Sequence, residues 1–373
     1  MVTLLPVLLF SGLLAATDDA SQRLRQLQAA GDYTGAAAIY REQLAANPES
    51  AELHSNLGLM LHMSGDENGA LLEFQQAIRR NPKLVAPTLF SGIALLRLGR
   101  PAEAIPYLNR ACLADRGSVA PVLARAQAYV ALRRFAAANR DYAEVVAQEP
   151  SNAEGWFGVG ITYRSMAEAA FQSSPHSPEG RKHLESALTA LQRAGALDPK
   201  SERVHLILGE SLRDAGKLMD AVEEYKKAIA IRPDSPAVHL GLATTYWKAG
   251  EIDRVLAPLQ RTLELAPRDP DANCIMADLL VRQGDYSAAR KYAEIALSEN
   301  PDLGHVRLVM GKILLSENRP DLAIAELKAA AKSEATGSSY YLLYRAYKQT
   351  GDGAAAAAAL REFTRIRNST AKD

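Results

Sequence analysis

The 373-residue chain has two cysteines, two tryptophans, few aromatics of any kind and no surplus of either charge. Cys112 and Cys274 are too few for a disulfide framework and too far apart for a paired-thiol redox or metal motif, so they read as small packing residues. Lysine and arginine (43) balance aspartate and glutamate (43), and neither half of the chain is a basic arm or an acidic tail. This balance excludes the broad basic face that free-standing nucleic-acid binding needs. The signatures of catalysis are missing as well. There is no HExxH, GxSxG, GxxxxGKS or GxxxxGKT, and Gly216, Lys217 and Leu218 lack the hydroxyl that a phosphate loop requires. No acid–base or nucleophile cluster recurs at a defined spacing, so the sequence implies no enzyme, no cofactor and no metal. His205 and His239 fall at equivalent places in the chain and read as packing residues rather than ligands.

The opening stretch, residues 1–16, carries no charged side chain and is apolar from Leu4 to Ala16 before Asp18 and Asp19 begin a polar sequence. It is too short to span a bilayer and has the length of a secretory signal core, with Ala15, Ala16 and Thr17 at the cleavage position. The mature chain is then extracytoplasmic, periplasmic or secreted. No Lys or Arg precedes the apolar run, which leaves a cytoplasmic protein with an uncleaved N-terminus as the alternative. No later stretch approaches membrane-spanning length.

Abundant alanine and leucine favour helices, and their arrangement is periodic. Pro48, Pro82, Pro150, Pro199, Pro233, Pro267 and Pro301 are separated by 34, 68, 49, 34, 34 and 34 residues, a period of 34 with one doubled step and one insertion of 15 (49 − 34). Small residues recur in step at Gly58, Gly92, Ala126, Gly160, Gly209, Ala243, Ala277 and Gly311. A second series runs through Ala70, Ala104, Ala138, Ala187, Ala221, Val255, Ala289 and Ala323. A helix can approach its neighbour closely only where the contact residue is small, and long residues such as Leu57 and Phe74 fill the flanking space. Proline ends the second helix of each period because it lacks the amide that a continuing helix would use.

Asn56, Leu57, Gly58, Leu61, Gly65, Asp66, Ala70, Phe74, Ala77 and Pro82 make the fullest copy of this pattern, and Trp156, Gly160 and Tyr163 add an aromatic signature in another. The pattern resembles the tetratricopeptide repeat, a 34-residue helix–turn–helix unit. The resemblance implies an all-α, right-handed superhelical α-solenoid of about ten repeats: 17–50, 51–84, 85–118, 119–152, 153–201, 202–235, 236–269, 270–303, 304–336 and 337–370, with 371–373 as a tail. End repeats need fewer small residues, so Ala356 in the last one should be less constrained. The seventh repeat has Pro258 inside its second helix, which predicts a wider or kinked helix pair. The insertion lies between Tyr163 and Ala187, where both helices should lengthen around a polar loop. The resulting arm is either a partner contact or a tolerated surface insertion.

By the same resemblance, the second, fifth, ninth, twelfth and thirteenth positions of each repeat line a concave face. In the third to fifth repeats these are Leu89, Ile93, Leu96, Leu123, Gln127, Phe157 and Ile161, with Phe90 adjacent, an apolar strip that either meets a partner or serves local packing. From the sixth repeat on they are Glu210, Arg213, Asp214, Thr244, Trp247, Lys248, Asp278, Arg282, Lys312, Arg345 and Lys348. One subclass of the family clamps peptide carboxylates with Lys and Asn at the fifth and ninth positions. Here those positions read Leu89 and Ile93, Leu240 and Thr244, Cys274 and Asp278, or Leu308 and Lys312, so that clamp is not reproduced. The resemblance implies a non-catalytic scaffold or adaptor whose partners are other proteins or peptides, in secretion, polysaccharide export or outer-membrane assembly. An enzyme accessory or hydrolase-like protein using a solenoid cleft is the rival from another class. Partner identity and oligomeric state are not written in the sequence.

Overall fold

The computed structural model describes residues 18–333 and 337–370. The signal-like segment, residues 1–16, and the tail, residues 371–373, lie outside the described residues. The chain divides into two compact units, Met1–Leu197 and Asp198–Asp373. The first holds α1 (Asp18–Ala29), α2 (Tyr33–Ala46), α3 (Ala51–Ser64), α4 (Glu67–Arg80), α5 (Val85–Arg97), α6 (Pro101–Ala114), α7 (Val119–Ala131), α8 (Phe135–Gln148), α9 (Ala153–Ser173) and α10 (Pro178–Leu197). The second holds α11 (Glu202–Asp214), α12 (Leu218–Ile231), α13 (Pro236–Ala249), α14 (Leu256–Leu265), α15 (Pro270–Gln283), α16 (Tyr286–Glu299), α17 (Gly304–Ser316), α18 (Pro320–Ala330), α19 (Ser338–Thr350) and α20 (Gly353–Thr370). Among the described residues there is no strand.

Each consecutive pair packs as a helical hairpin, and the sequence shows why the pairs close so tightly. Gly58 of α3 lies under the Phe74 ring of α4, where an added Cβ would sit 2.6 Å from a ring carbon. Gly92 meets Leu108 in the same way, Gly160 meets Leu191, and Gly311 meets Leu327, each within 2.6 Å. Tyr225 of α12 is shared: a Cβ added to Gly209 of its own pair would sit 3.0 Å from its ring, and one added to Gly241 of the next first helix 2.5 Å from it. Phe74, Leu108, Leu191, Tyr225, Leu259 and Leu327 are completely buried. These wedges and the alanines around them form the cores of both units. Ala356 in the last pair is also buried.

The joints between pairs follow a second rule that side-chain periodicity conceals. The periodic proline lies two residues past the end of a helix, and its carbonyl needs a donor that the helix cannot supply. Except at Pro82, whose carbonyl accepts from Arg110, the fourth residue of the next repeat supplies a donor six residues on. His54 Nε2 donates to Pro48 O at 3.0 Å, Trp156 Nε1 to Pro150 O at 2.9 Å, His205 Nε2 to Pro199 O at 3.2 Å and His239 Nε2 to Pro233 O at 2.8 Å. Asn273 and Arg307 do the same for Pro267 and Pro301. In three repeats the same side chain also reaches a glutamate of the second helix: His54 to Glu73 and His205 to Glu224 at 2.6 Å, and Arg307 to Glu326 at 2.7 Å. Four residue types thus perform one task, tying the linker to the first helix of the repeat that follows, and in three repeats to its second helix as well.

Two departures from regularity have local causes. At the seventh repeat the second helix starts late. Ile252–Arg254 form a 3-10 turn, and α14 begins at Leu256. Pro258 then falls in the first turn of α14, where its missing amide costs no helical bond. At the insertion, α9 and α10 run 21 and 20 residues against 13 or 14 in their neighbours α7 and α8. The lengthened hairpin is held by Tyr163 stacked on His183, with ring centroids 5.7 Å apart, and by Phe171 seated over Gly180.

Most first helices turn into their partners through a glycine with positive φ, as at Gly65 (φ 89°), but Arg133 takes the same left-handed conformation at φ 56°. A side chain there costs about 1–2 kcal/mol relative to glycine, partly offset by the unfolded-state freedom that glycine adds. Arg133 is exposed, and its one aromatic neighbour, Phe135, lies 5.9 Å away. Arg133→Gly should therefore raise stability by up to about 1 kcal/mol in urea unfolding; an unchanged or lower midpoint would mean that the turn is unstrained.

Candidate partner-binding groove

The first helices of successive pairs lie side by side within each unit, α3 beside α5, α5 beside α7 and α7 beside α9 in the first, and α11 beside α13, α15 beside α17 and α17 beside α19 in the second. Side chains on this face are those that hairpin packing leaves over. The face differs in chemistry between the two units.

In the first unit it is apolar and mostly covered. Leu123 and Phe157 are buried in the core, whereas Leu89, Phe90, Ile93, Leu96 and Ile161 are half-buried, as is Gln127. Leu89, Ile93 and Leu96 pack on a cluster that includes Leu95, Leu108 and Ala124. Phe90 stacks on Phe74 at 5.9 Å and tilts against His62 at 5.6 Å. Of the strip predicted from the repeat positions, Leu123 and Phe157 are thus buried and the rest is half-buried. A charged network that the sequence did not announce lies at its edge: Glu67 takes His62 Nδ1 at 2.6 Å and Arg97 Nη1 at 2.8 Å. Burial pushes the His62 imidazole below its ordinary value, against the pull of Glu67.

In the second unit the face is polar and centred on one carboxylate. Asp278 of α15 is 2% exposed. Its Oδ1 accepts from Lys312 Nζ of α17 at 3.0 Å, and its Oδ2 lies 3.7 Å from Arg282 Nε and 3.8 Å from His305 Nε2. Burial works against the charge, but the contact with His305 and the charge and hydrogen bond of Lys312 outweigh it and hold the carboxyl at about 2. Arg282 leans over Trp247 of α13, its guanidinium carbon 4.6 Å from the ring centroid, within range of a cation–π contact. Of the predicted positions, the structure therefore brings Trp247, Arg282, Asp278 and Lys312 into one network. His305, at the second position of its repeat, completes it; that position is one the repeat pattern assigns to the face, so the signal was present. Glu210 and Arg213 lie on α11 outside this network, with Arg213 3.6 Å from Asp214, and Lys248 is exposed on α13.

Cys274, one turn before Asp278, is buried, and burial followed by the charges of Asp278 and Asp271 pushes its thiol up to about 12. It is an inert packing residue. Among the described residues no group of three His, Cys, Asp or Glu side chains could hold a metal ion, and no helix is long and apolar enough to cross a membrane.

A family model described as tetratricopeptide repeat matches residues 22–85, 68–121, 123–173, 240–303 and 274–340, and a second, described as TPR repeat, matches 209–250. Among solved structures, a tetratricopeptide repeat protein from Parabacteroides merdae ATCC 43184 is similar over 71% of this chain and 98% of its own, at a TM-score of 0.52 and 16% identity. Pseudomonas aeruginosa pilF is similar over 60% of this chain and 95% of its own, at a TM-score of 0.50 and 19% identity. At these identities the likeness is one of fold. No curated protein matches the sequence.

The Asp278 network has a signed pH dependence. A carboxyl held at about 2 when folded, against an ordinary value near 3.8, stabilises the fold fully above about pH 4 and loses that contribution as the pH falls through about 2. Asp278→Asn should cost on the order of 2 kcal/mol near neutral pH, measured as the shift in urea midpoint. The gap between variant and wild type should close between about pH 4 and pH 2. A gap constant over that range would show that Asp278 contributes shape rather than charge.

Proposed function

The chain belongs to the tetratricopeptide repeat family, and on that premise we propose that it is a non-catalytic scaffold of the bacterial cell envelope that holds segments of other proteins on its first-helix face. Tetratricopeptide repeat proteins are generally protein-interaction scaffolds. The observation that carries the reading to this chain is the division of labour between its positions. Glycine, alanine and wedge positions are consumed by hairpin packing and fourth positions by the proline linkers, so the first-helix face is where side chains such as Trp247, Lys248 and Arg282 are left for a partner. Export is supported by the uncharged run from Leu4 to Ala16 ahead of Asp18. By analogy within the family, the setting is secretion, polysaccharide export or outer-membrane assembly.

Lysines on both kinds of helix make the proposal testable by cross-linking. The full chain, tagged at its C-terminus, would be cross-linked in its native cells with an amine-reactive reagent, then purified and mapped. The expected product begins near Thr17, fractionates outside the cytoplasm and is joined to another protein through first-helix lysines such as Lys248 and Lys348. Intact Met1 on soluble cytoplasmic protein would remove the export claim. Cross-links confined to second-helix lysines such as Lys226 and Lys227 would remove the binding face.

A further inference from the structure

In a chain with no net charge, the first helices at the end of the second unit are strongly one-sided. Across α13, α15, α17 and α19 the only carboxylates are Asp271 and Asp278, against Lys248, Arg282, Arg307, Lys312, Arg345 and Lys348, with His305 and the buried His239 in addition. Arg307 is engaged by Glu326, 2.7 Å away. Asp278 is enclosed, and its single charge is shared by Lys312, Arg282 and His305. Lys248, Arg345 and Lys348 are exposed and meet no carboxylate among the described residues. Cations crowded onto one face without counter-charges repel one another, and an anionic partner relieves that repulsion.

We propose that this face binds an extended acidic segment of a partner protein, with carboxylates meeting Arg282, Lys312 and the Arg345–Lys348 pair on three successive helices. The proposal rests on the scaffold reading and names the chemistry of the partner. Adjacent helices pack roughly 10 Å apart, a distance that about three residues of an extended chain cover. The spacing therefore selects a segment with an acidic residue at about every third position. Arg282 is already oriented for this: Trp247 covers one face of its guanidinium and Asp278 lies beside Nε, which leaves its outer N–H groups to take a carboxylate side-on. A nucleic acid fits less well, because a few cations on a neutral chain release few counterions, and Arg282 occupies a face of Trp247 on which a base would stack.

The probes are a fluorescent peptide of repeated Glu-Leu-Ser, its Lys-Leu-Ser counterpart and a single-stranded RNA of similar length, titrated into the full chain by anisotropy. The glutamate peptide should bind, and added salt should weaken it. Arg345→Glu with Lys348→Glu should reduce its affinity by at least about tenfold while the melting temperature stays at the wild-type value, because both side chains are exposed. Lys226→Glu with Lys227→Glu on α12 makes the same change in net charge away from the face and should leave affinity intact. Should the glutamate variant melt early, Arg345→Gln with Lys348→Gln serves in its place, with the same loss expected. The proposal is overturned if the lysine peptide or the RNA binds as tightly as the glutamate peptide, if the α19 variant keeps its affinity, or if the α12 control loses as much. Cellular partners that remain cross-linked to the α19 variant would likewise overturn the acidic groove, yet leave the scaffold reading standing; absence of any partner on the wild-type chain would remove that reading itself.

Discussion

A bulky side chain pressed against a glycine is the contact on which the rest of this molecule depends. Phe74 on Gly58, Leu108 on Gly92, Leu191 on Gly160, Tyr225 on Gly209 and Leu327 on Gly311 repeat one interaction in five hairpins. Each brings two helices to a separation that a single Cβ would open, and each buries its large partner completely. Close packing accounts for this constraint: a core without voids gains dispersion on every side of the wedge and has nowhere to move when volume is added. Because Tyr225 also contacts Gly241 of the next first helix, the same wedge that closes one hairpin sets the place of its neighbour.

The binding face is a consequence of that closure. Once the small and wedge positions are fixed, each first helix has one remaining side, and its residues are free to differ between repeats. In the first unit that side is filled with half-buried aliphatics resting on the core, and in the second it carries the cations around Asp278. The buried carboxylate does in the second unit what Glu67 does beside His62 and Arg97 in the first: it binds together polar side chains from different helices. Asp278 differs in being outnumbered, so its neighbours keep charge directed outward.

The repeat was legible in the sequence because packing at helix crossings tolerates so few residue types. Proline and glycine spacing located the hairpins, and the lengthened α9–α10 arm followed from the unbroken helical character on both sides of the insertion. Other features were opaque for physical reasons. The proline-linker bond is made by His, Trp, Asn or Arg, and a task open to any long donor leaves no single-residue signature. Pro258 in a helical register suggested a kink, but the backbone had a cheaper solution in a 3-10 turn and a later helix start. Leu123 and Phe157 occupy the same register as the half-buried Leu89, and periodicity alone does not tell that they are buried. The partition of the groove into apolar and charged parts was readable; that Arg282, Lys312 and His305 converge on one carboxylate was not, because these residues come from two helices about a repeat apart.

The most direct test of the account is the sign of one substitution. Alanine is the better helix former, so Gly58→Ala in the interior of α3 should raise stability by about 1 kcal/mol if that helix were free of tight contacts. If the Phe74 wedge governs the fold, the added Cβ, 2.6 Å from the ring, must displace a buried aromatic side chain, and the urea midpoint should fall by the equivalent of about 1–3 kcal/mol. A midpoint at or above the wild-type value would contradict the claim that close helix approach at these glycines holds the repeats together.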